Sequence, residues 1–347
     1  MKRWLCFFLL LFLLESPVFA VGEEALAPYL PPELSDASGG ELLTTGAAEL
    51  WGEFGAALKE ALTPGVRSAA LLVLTALLCG FAKGVAADSA VYAELLGVLA
   101  ISTVAAGDLT ALIGAGSRTI DELHTLSKAL LPTVAMAMAA GGFVGTASVF
   151  QVTTLVAANF LISLIKELLL PLSYCCVGVS AAAAVVSESR LDALAAGLRK
   201  LIGGVLSVCL TLFTLFLTLS GVLSGSADKM AVRLAKSTVS AAIPVVGGIL
   251  SEASEAVLAG AGAARSVCGI LGVFAVLFVC LSPLVRLCAQ YLLYKAAAVL
   301  ASCVGVKALD KYIEDVGSVF GLVLGMTGAC ALLLLVSVLL SITMAVM

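Results

Sequence analysis

Charge is what this chain most lacks. Of its 347 residues only 12% are Asp, Glu, Lys or Arg while 61% are hydrophobic, and a soluble domain carries about twice that charged share to cover its surface. Histidine is nearly absent, with His124 alone in the chain. That excludes H-E-x-x-H zinc chemistry and leaves no partner for a serine-histidine pair within a bilayer. No G-x-x-x-x-G-K-[ST] loop occurs, and Gly260-x-Gly262 runs on into Ala263, Ala264 and Arg265 instead of completing a dinucleotide fingerprint. Ala106-Gly107-Asp108 lacks the earlier glycine of the G-x-G-D pattern of intramembrane aspartyl proteases. No C-x-x-C pair exists among the ten cysteines, and Cys79, Cys175, Cys176, Cys209, Cys268, Cys280, Cys288 and Cys330 lie in apolar runs as small packing residues. The chain therefore reads as non-enzymatic, with no cofactor and no metal, and any energy must come from a partner or a gradient. A basic face for nucleic acid is missing as well.

What is present is lipid-soluble surface. From about Ala69 to Met347, apolar runs of membrane-spanning length follow one another with short polar interruptions, and the mean hydropathy is +1.15. Only helices and closed barrels satisfy their backbone in hydrocarbon, and runs of about 20 apolar residues mark helices. The fold class is all-α, a polytopic helical membrane protein. Lys2 and Arg3, the apolar run Leu5 to Leu14 and Ser16-Pro17-Val18-Phe19-Ala20 read as a signal peptide over 1–20, with an uncleaved anchor as the alternative. Residues 21–68 form an acidic segment, expected outside the cytoplasm because basic residues are held on the cytoplasmic side. Within it Leu50, Phe54, Leu58 and Leu62 recur at helical spacing opposite Glu49, Glu53 and Glu60, and Pro64-Gly65 marks the end of that amphipathic helix.

The multi-pass region is 69–347. Spans are expected near Ala69 to Ala87, Val91 to Ile113 and Ala129 to Phe150, with Arg118, Asp121, Glu122, His124 and Lys128 in a loop. A metal site is one reading of Asp121, Glu122 and His124, and a solvated loop is the other. The apolar run Val152 to Val186 is too long for one straight crossing and is interrupted by Lys166, Glu167 and Pro171, which predicts a broken helix or a hairpin. Ser187 to Lys200 reads as a cytoplasmic connector, Leu201 to about Leu223 as a span, and Ser226 to Ala241 as an interfacial helix. A broken or re-entrant segment is expected near 243–264. Val267 to Leu284, the run on to Val304, a charged loop Lys307 to Asp315 and a last span Gly317 to Met347 bring the total to about seven crossings.

Ionisable groups at membrane depth cost several kcal/mol unless paired or wet, so each marks a candidate position. Glu94 and Asp108 lie fourteen residues apart, nearly on one helix face. Lys236, the Ile243-Pro244-Val245-Val246-Gly247-Gly248 break, Glu252 and Glu255 form the most distinctive stretch. Broken helices are tolerated at depth where they are buried in protein or line a wet cavity, which makes Lys236, Pro244, Gly247, Gly248, Glu252 and Glu255 candidates for a pathway or docking surface. A surface hairpin is the other reading. Gly317, Gly321 and Gly325 form a small-residue ridge for helix packing, within one chain or between copies.

The chain resembles the stage III sporulation protein AE family of endospore-forming bacteria. The likeness is carried by the signal peptide, Leu131-Pro132-Thr133, Phe150-Gln151, Lys166 to Pro171, Arg199 with its following span, and above all Lys236 to Gly248. The resemblance implies a subunit of the channel-like assembly between mother cell and forespore, in the mother-cell membrane surrounding the forespore. It further implies partners that include a secretion-type ATPase and ring-forming membrane proteins, and it brings no catalytic residues. The rival reading from the residues is a secondary transporter coupling a cation or proton through Glu94, Asp108, Glu252 and Glu255. No inverted repeat between the halves supports that rival.

Overall fold

A computed structural model describes residues 27–31, 41–85, 90–140, 144–186, 189–242 and 247–346, with backbone alone for 41, 90–91, 189, 217–242, 247–268, 340–346 and parts of 137–150. The signal segment 1–20 and most of the acidic linker lie outside the described residues. After a 3-10 turn at Ala27–Tyr29, the helices are α1 (Glu41–Val85), α2 (Ala90–Ala140), α3 (Val144–Leu164), α4 (Leu170–Val186), α5 (Ser189–Ala242), α6 (Gly247–Ser302) and α7 (Lys307–Val346). A π-helical turn, Ile165–Leu169, joins α3 to α4. Regular structure among the described residues is helical throughout.

Among the described residues six helical rods are long and apolar enough to cross a membrane: Leu42–Val85, Tyr92–Met136, Gln151–Val186, Arg190–Phe216, Gly269–Ser302 and Lys307–Leu339. This is close to the about seven expected, and several polar stretches expected as loops or connectors are helical. Arg118 to Lys128 sits inside the 51-residue α2, where a loop was expected. Most of the Ser187 to Lys200 connector belongs to α5, and the Lys307 to Asp315 loop is the first part of α7. Ser226 to Ala241 continues α5 without interruption.

Proline gives the second set of corrections. Pro64 does not end a helix but lies inside the 45-residue α1, so the amphipathic segment and the first apolar run are one rod. Pro132 and Pro283 are likewise interior to α2 and α6, as membrane helices allow when neighbours stabilise the freed carbonyl. Between α3 and α4 the sequence predicts a break or a hairpin, and the break is the π turn. There the Leu170 N–H bonds to Ile165 O, five residues back. Widening that turn makes room for the Pro171 ring against the preceding carbonyls, so the chain continues in one direction.

Cross-helix contacts give a regular up-and-down order. Lys83–Glu94 and Ser68–Asp108 set α1 antiparallel to α2, and His124–Asn159 and Asp121–Lys166 set α2 antiparallel to α3. Arg199 reaches back to Ser180 across the α4–α5 turn. Gly305, at φ +82°, reverses the chain between α6 and α7, a left-handed conformation that glycine adopts without steric cost. The end of α1 at Val85, the end of α4 at Val186 and the α6–α7 turn at Gly305 form one pole of the bundle, the proximal one. The opposite pole, where α1 and α6 begin, is distal.

The core runs along α7, where 56% of the apolar stretch is buried, against 17% for α1 and α5. Tyr294, Tyr312 and Phe320 are among its largest fully buried side chains, and Tyr294 meets Phe320 edge to face at 4.9 Å. The glycine ridge of α7 makes this approach possible. A β-carbon on Gly317 would lie 3.0 Å from Tyr294 Cβ, one on Gly321 would lie 3.1 Å from the Tyr291 ring, and one on Gly325 would come within 3.6 Å of Leu206. The ridge thus packs inside the chain, against α6 and α5. Gly321→Leu is expected to destabilise by about 1–3 kcal/mol through overpacking, while Gly328→Leu, with nothing within 4 Å of its added Cβ, stays near neutral. Detergent thermal stability of the two variants checks this, and equal losses would contradict the packing role.

Candidate functional site

Three polar clusters tie the helices together. The first centres on Asp108 of α2. Its Oδ1 accepts from Ser68 Oγ of α1 at 3.1 Å, and its Oδ2 accepts from Gln290 Nε2 at 2.8 Å and from the Tyr294 hydroxyl at 2.7 Å, both of α6. Gln290 and Tyr294 are four apart, so one face of α6 presents both. Gly65 gives α6 room, because a side chain there would meet Gln290 Oε1 at 2.8 Å. Two donors to one carboxylate are thereby brought from positions 182 and 186 residues away. Below this cluster, Ser102 and Tyr312 share a hydrogen bond of 2.9 Å that joins α2 to α7.

The second cluster is ionic. Arg199 of α5 pairs with Asp315 of α7 at 2.9 Å, with side chains only 19% and 11% exposed, and donates to Ser180 of α4 at 3.4 Å. Nearer the proximal end Lys311 pairs with Asp192 at 2.5 Å, so acid and base alternate along each helix. That arrangement specifies the parallel register of α5 and α7, because sliding one helix would set like charges together. Lys295 adds a bond from α6 to Glu314 at 2.8 Å and to Ser318 at 3.3 Å.

A third cluster sits toward the distal half, where Lys166 on the π turn pairs with Asp121 and His124 Nε2 lies 2.7 Å from Asn159 Oδ1. No group of three metal-ligating side chains assembles among the described residues.

The sequence candidates distribute differently from one another. Glu94 and Asp108 both face α1, as their spacing predicts, yet they do not form one site. Glu94 pairs with Lys83 at 2.7 Å in an exposed ion pair, and about 21 Å of helix separates it from Asp108. Pro244 lies outside the described residues, with 243–246. For Lys236, Gly247, Gly248, Glu252 and Glu255 the helical backbone is described and the side-chain surroundings are not; the helix that begins at Gly247 continues unbroken to Ser302. Ser68, Gln290, Tyr294 and Tyr312 were not among the candidates. For Gln290 and Tyr294 the signal was present, as polar side chains at helical spacing inside an apolar run, whereas Tyr312 sits in the charged Lys307 to Asp315 stretch.

No solved structure matches this chain. A curated relative, Stage III sporulation protein AE of Bacillus subtilis (strain 168), is 25% identical over 193 residues, which is 56% of this chain and 48% of the relative. The match spans about half the length of that relative. The family model described as Stage III sporulation protein AE matches residues 50–345, from within α1 almost to the end of α7. The whole helical bundle is therefore covered, and the chain belongs to the stage III sporulation protein AE family.

Proposed function

We propose that this chain is a non-enzymatic membrane subunit of a sporulation transenvelope channel complex, set in the mother-cell membrane around the forespore and needed for forespore development. Two things support the reading. The family match runs through the entire six-rod bundle, and the described polar groups at depth bind neighbouring helices to one another instead of converging on a reacting centre. Asp108 meets neutral donors in its cluster, and Arg199 and Lys295 are each held by a carboxylate. A bundle held rigid in this way acts through the surfaces that it offers to partners. On the same reading the partners are a secretion-type ATPase and ring-forming membrane proteins, and the Ile243 to Glu255 stretch lines the path or docks them.

The experiment is recovery of the tagged chain from sporulating cells with identification of co-purifying membrane proteins. An ATPase and ring proteins in stoichiometric amounts are expected. The chain alone, folded and abundant, would argue for a self-sufficient transporter. The triple variant Pro244→Leu, Gly247→Leu and Gly248→Leu is expected to insert normally and to abolish spore formation, and normal spore yield would remove the assigned role of this stretch.

A further inference from the structure

Every exposed residue of α2 between positions 100 and 135 is alanine, glycine, threonine or charged. The exposed large apolar side chains of this helix stop at Leu99 and resume at Met136, about 55 Å of helix rise further on. Its neighbours are different. Level with His124, through the bond to Asn159, α3 exposes Val156 and Phe160. On α1 the exposed Glu53, Lys59 and Glu60 are interspersed with exposed Trp51, Leu62 and Val66, and Glu60 is paired with Arg286 of α6.

The depth of the α2 stripe is fixed by α7. The apolar rod of α7 reaches Leu339 and its charges stop at Asp315. A crossing takes about 20 residues, so every placement of one between Val316 and Leu339 contains 320–335. A β-carbon on Gly116 of α2 would lie 3.1 Å from Val323 and 3.2 Å from Thr327 Oγ1, and Leu123 and Ser127 line one small void with Cys330 and Leu333. Residues 116–127 of α2 therefore stand at hydrocarbon depth, with Arg118, Asp121 and Glu122 exposed there and Lys128 at the margin. Charges at such depth face a partner or water, not lipid. Asp121 meets Lys166 and Arg118 donates to the Gly114 carbonyl at 3.3 Å. Glu122, Lys128 and Glu167 form no ion pair among the described residues.

We propose that this stripe is the interface of a two-fold dimer of the chain, in which Arg118 and Lys128 of each copy bracket Glu122 of the other. Charge complementarity selects a second copy as the occupant. Arg118, Lys128 and Lys166 balance Asp121, Glu122 and Glu167, so the surface is neutral and mates with itself. Two copies inserted in the same direction are related by a two-fold axis along the membrane normal, which sets equal levels opposite each other. Arg118 then lies about 6 Å of rise from Glu122 across the axis and Lys128 about 9 Å on its other side, both within reach of long side chains. Gly107, Gly114 and Thr125 share this face by their spacing. Gly107 and Gly114 have nothing within 4 Å of an added Cβ, unlike Gly317 and Gly321, so the chain leaves them open for a second backbone to approach. Dimer formation of this kind requires none of the partners proposed above.

The test is a complementation of charge. The full chain is purified in detergent and its mass measured by light scattering, for the parent, for Arg118→Glu with Lys128→Glu, and for Glu122→Lys with Glu167→Lys. The parent is expected as a dimer, each reversed variant as a monodisperse monomer with at least tenfold weaker association, and their mixture as a dimer holding one copy of each. A monomeric parent, reversed variants that stay dimeric, or monodisperse reversed variants that do not combine would overturn the proposal. Thr125→Cys, in the middle of the stripe on a helix with no native cysteine, gives a second measurement in otherwise unaltered protein. Oxidation in native membranes is expected to yield a disulfide-linked dimer that the parent and Val208→Cys, on the exposed side of α5, do not form. Cross-linking of Thr125→Cys to a different protein would assign the stripe to another subunit and overturn the dimer.

Discussion

Arg199→Ala is expected to destabilise the bundle by about 3–5 kcal/mol, the usual cost of leaving one member of a buried ion pair without the other. Asp315, its side chain only 11% exposed, would then lose the guanidinium that pairs with it. The Ser180 hydroxyl, which accepts from Arg199, has no charge with which to replace it. The paired replacement Arg199→Met with Asp315→Leu removes both charges and both desolvation costs, and is expected to stand close to the parent. Lys311→Ala, in a pair whose side chains are 49% and 33% exposed, should cost no more than about 1 kcal/mol. Heating the purified protein in detergent and following loss of the monodisperse form ranks the three. A paired replacement as damaging as Arg199→Ala would show that the site needs the ion pair itself, and would sink the desolvation argument.

The second large effect is expected at Asp108. Asp108→Ala leaves the Gln290 amide and the Tyr294 hydroxyl, on residues 6% and 0% exposed, without their acceptor. An orphaned buried donor costs about 1–3 kcal/mol, so the total is on the order of 3 kcal/mol. Tyr294→Phe removes one donor and keeps the ring against Phe320, and about 1 kcal/mol is expected. The two changes are coupled through one hydrogen bond, so Asp108→Ala made in a Tyr294→Phe background should cost roughly 1 kcal/mol less than in the parent. Simple additivity in that cycle would mean that the hydroxyl and the carboxylate do not interact in the folded protein. Because Asp108 draws on α1 and α6 at once, loss of the cluster should also loosen α1. The readout for this is faster proteolysis near Arg67 in the Asp108→Ala protein than in Gly328→Leu, which leaves the cluster intact.

Lipid as solvent, helix as the means of satisfying the backbone, and the interruption ahead of Pro171 were all determined by the sequence alone. Each follows from local chemistry: hydrocarbon admits few charges, an unbonded peptide group is costly there, and a proline ring needs space one turn back. Which polar residues belong together was decided only by the tertiary structure. Arg118 to Lys128 looks like a loop when read along the chain, since a run of charges shows no apolar period. It is helical because Asp121 meets Lys166 and His124 meets Asn159 across the α2–α3 interface. Lys307 to Asp315 is helical for the same reason, with Lys311 and Asp315 meeting Asp192 and Arg199 on α5. Glu94 and Asp108 share a face by their spacing, which sequence can state. Their different fates, an exposed ion pair for one and a three-donor cage for the other, depend on helices 11 and nearly 190 residues away. Periodicity carries the direction of a side chain within its own helix, and packing supplies the partner that it finds there.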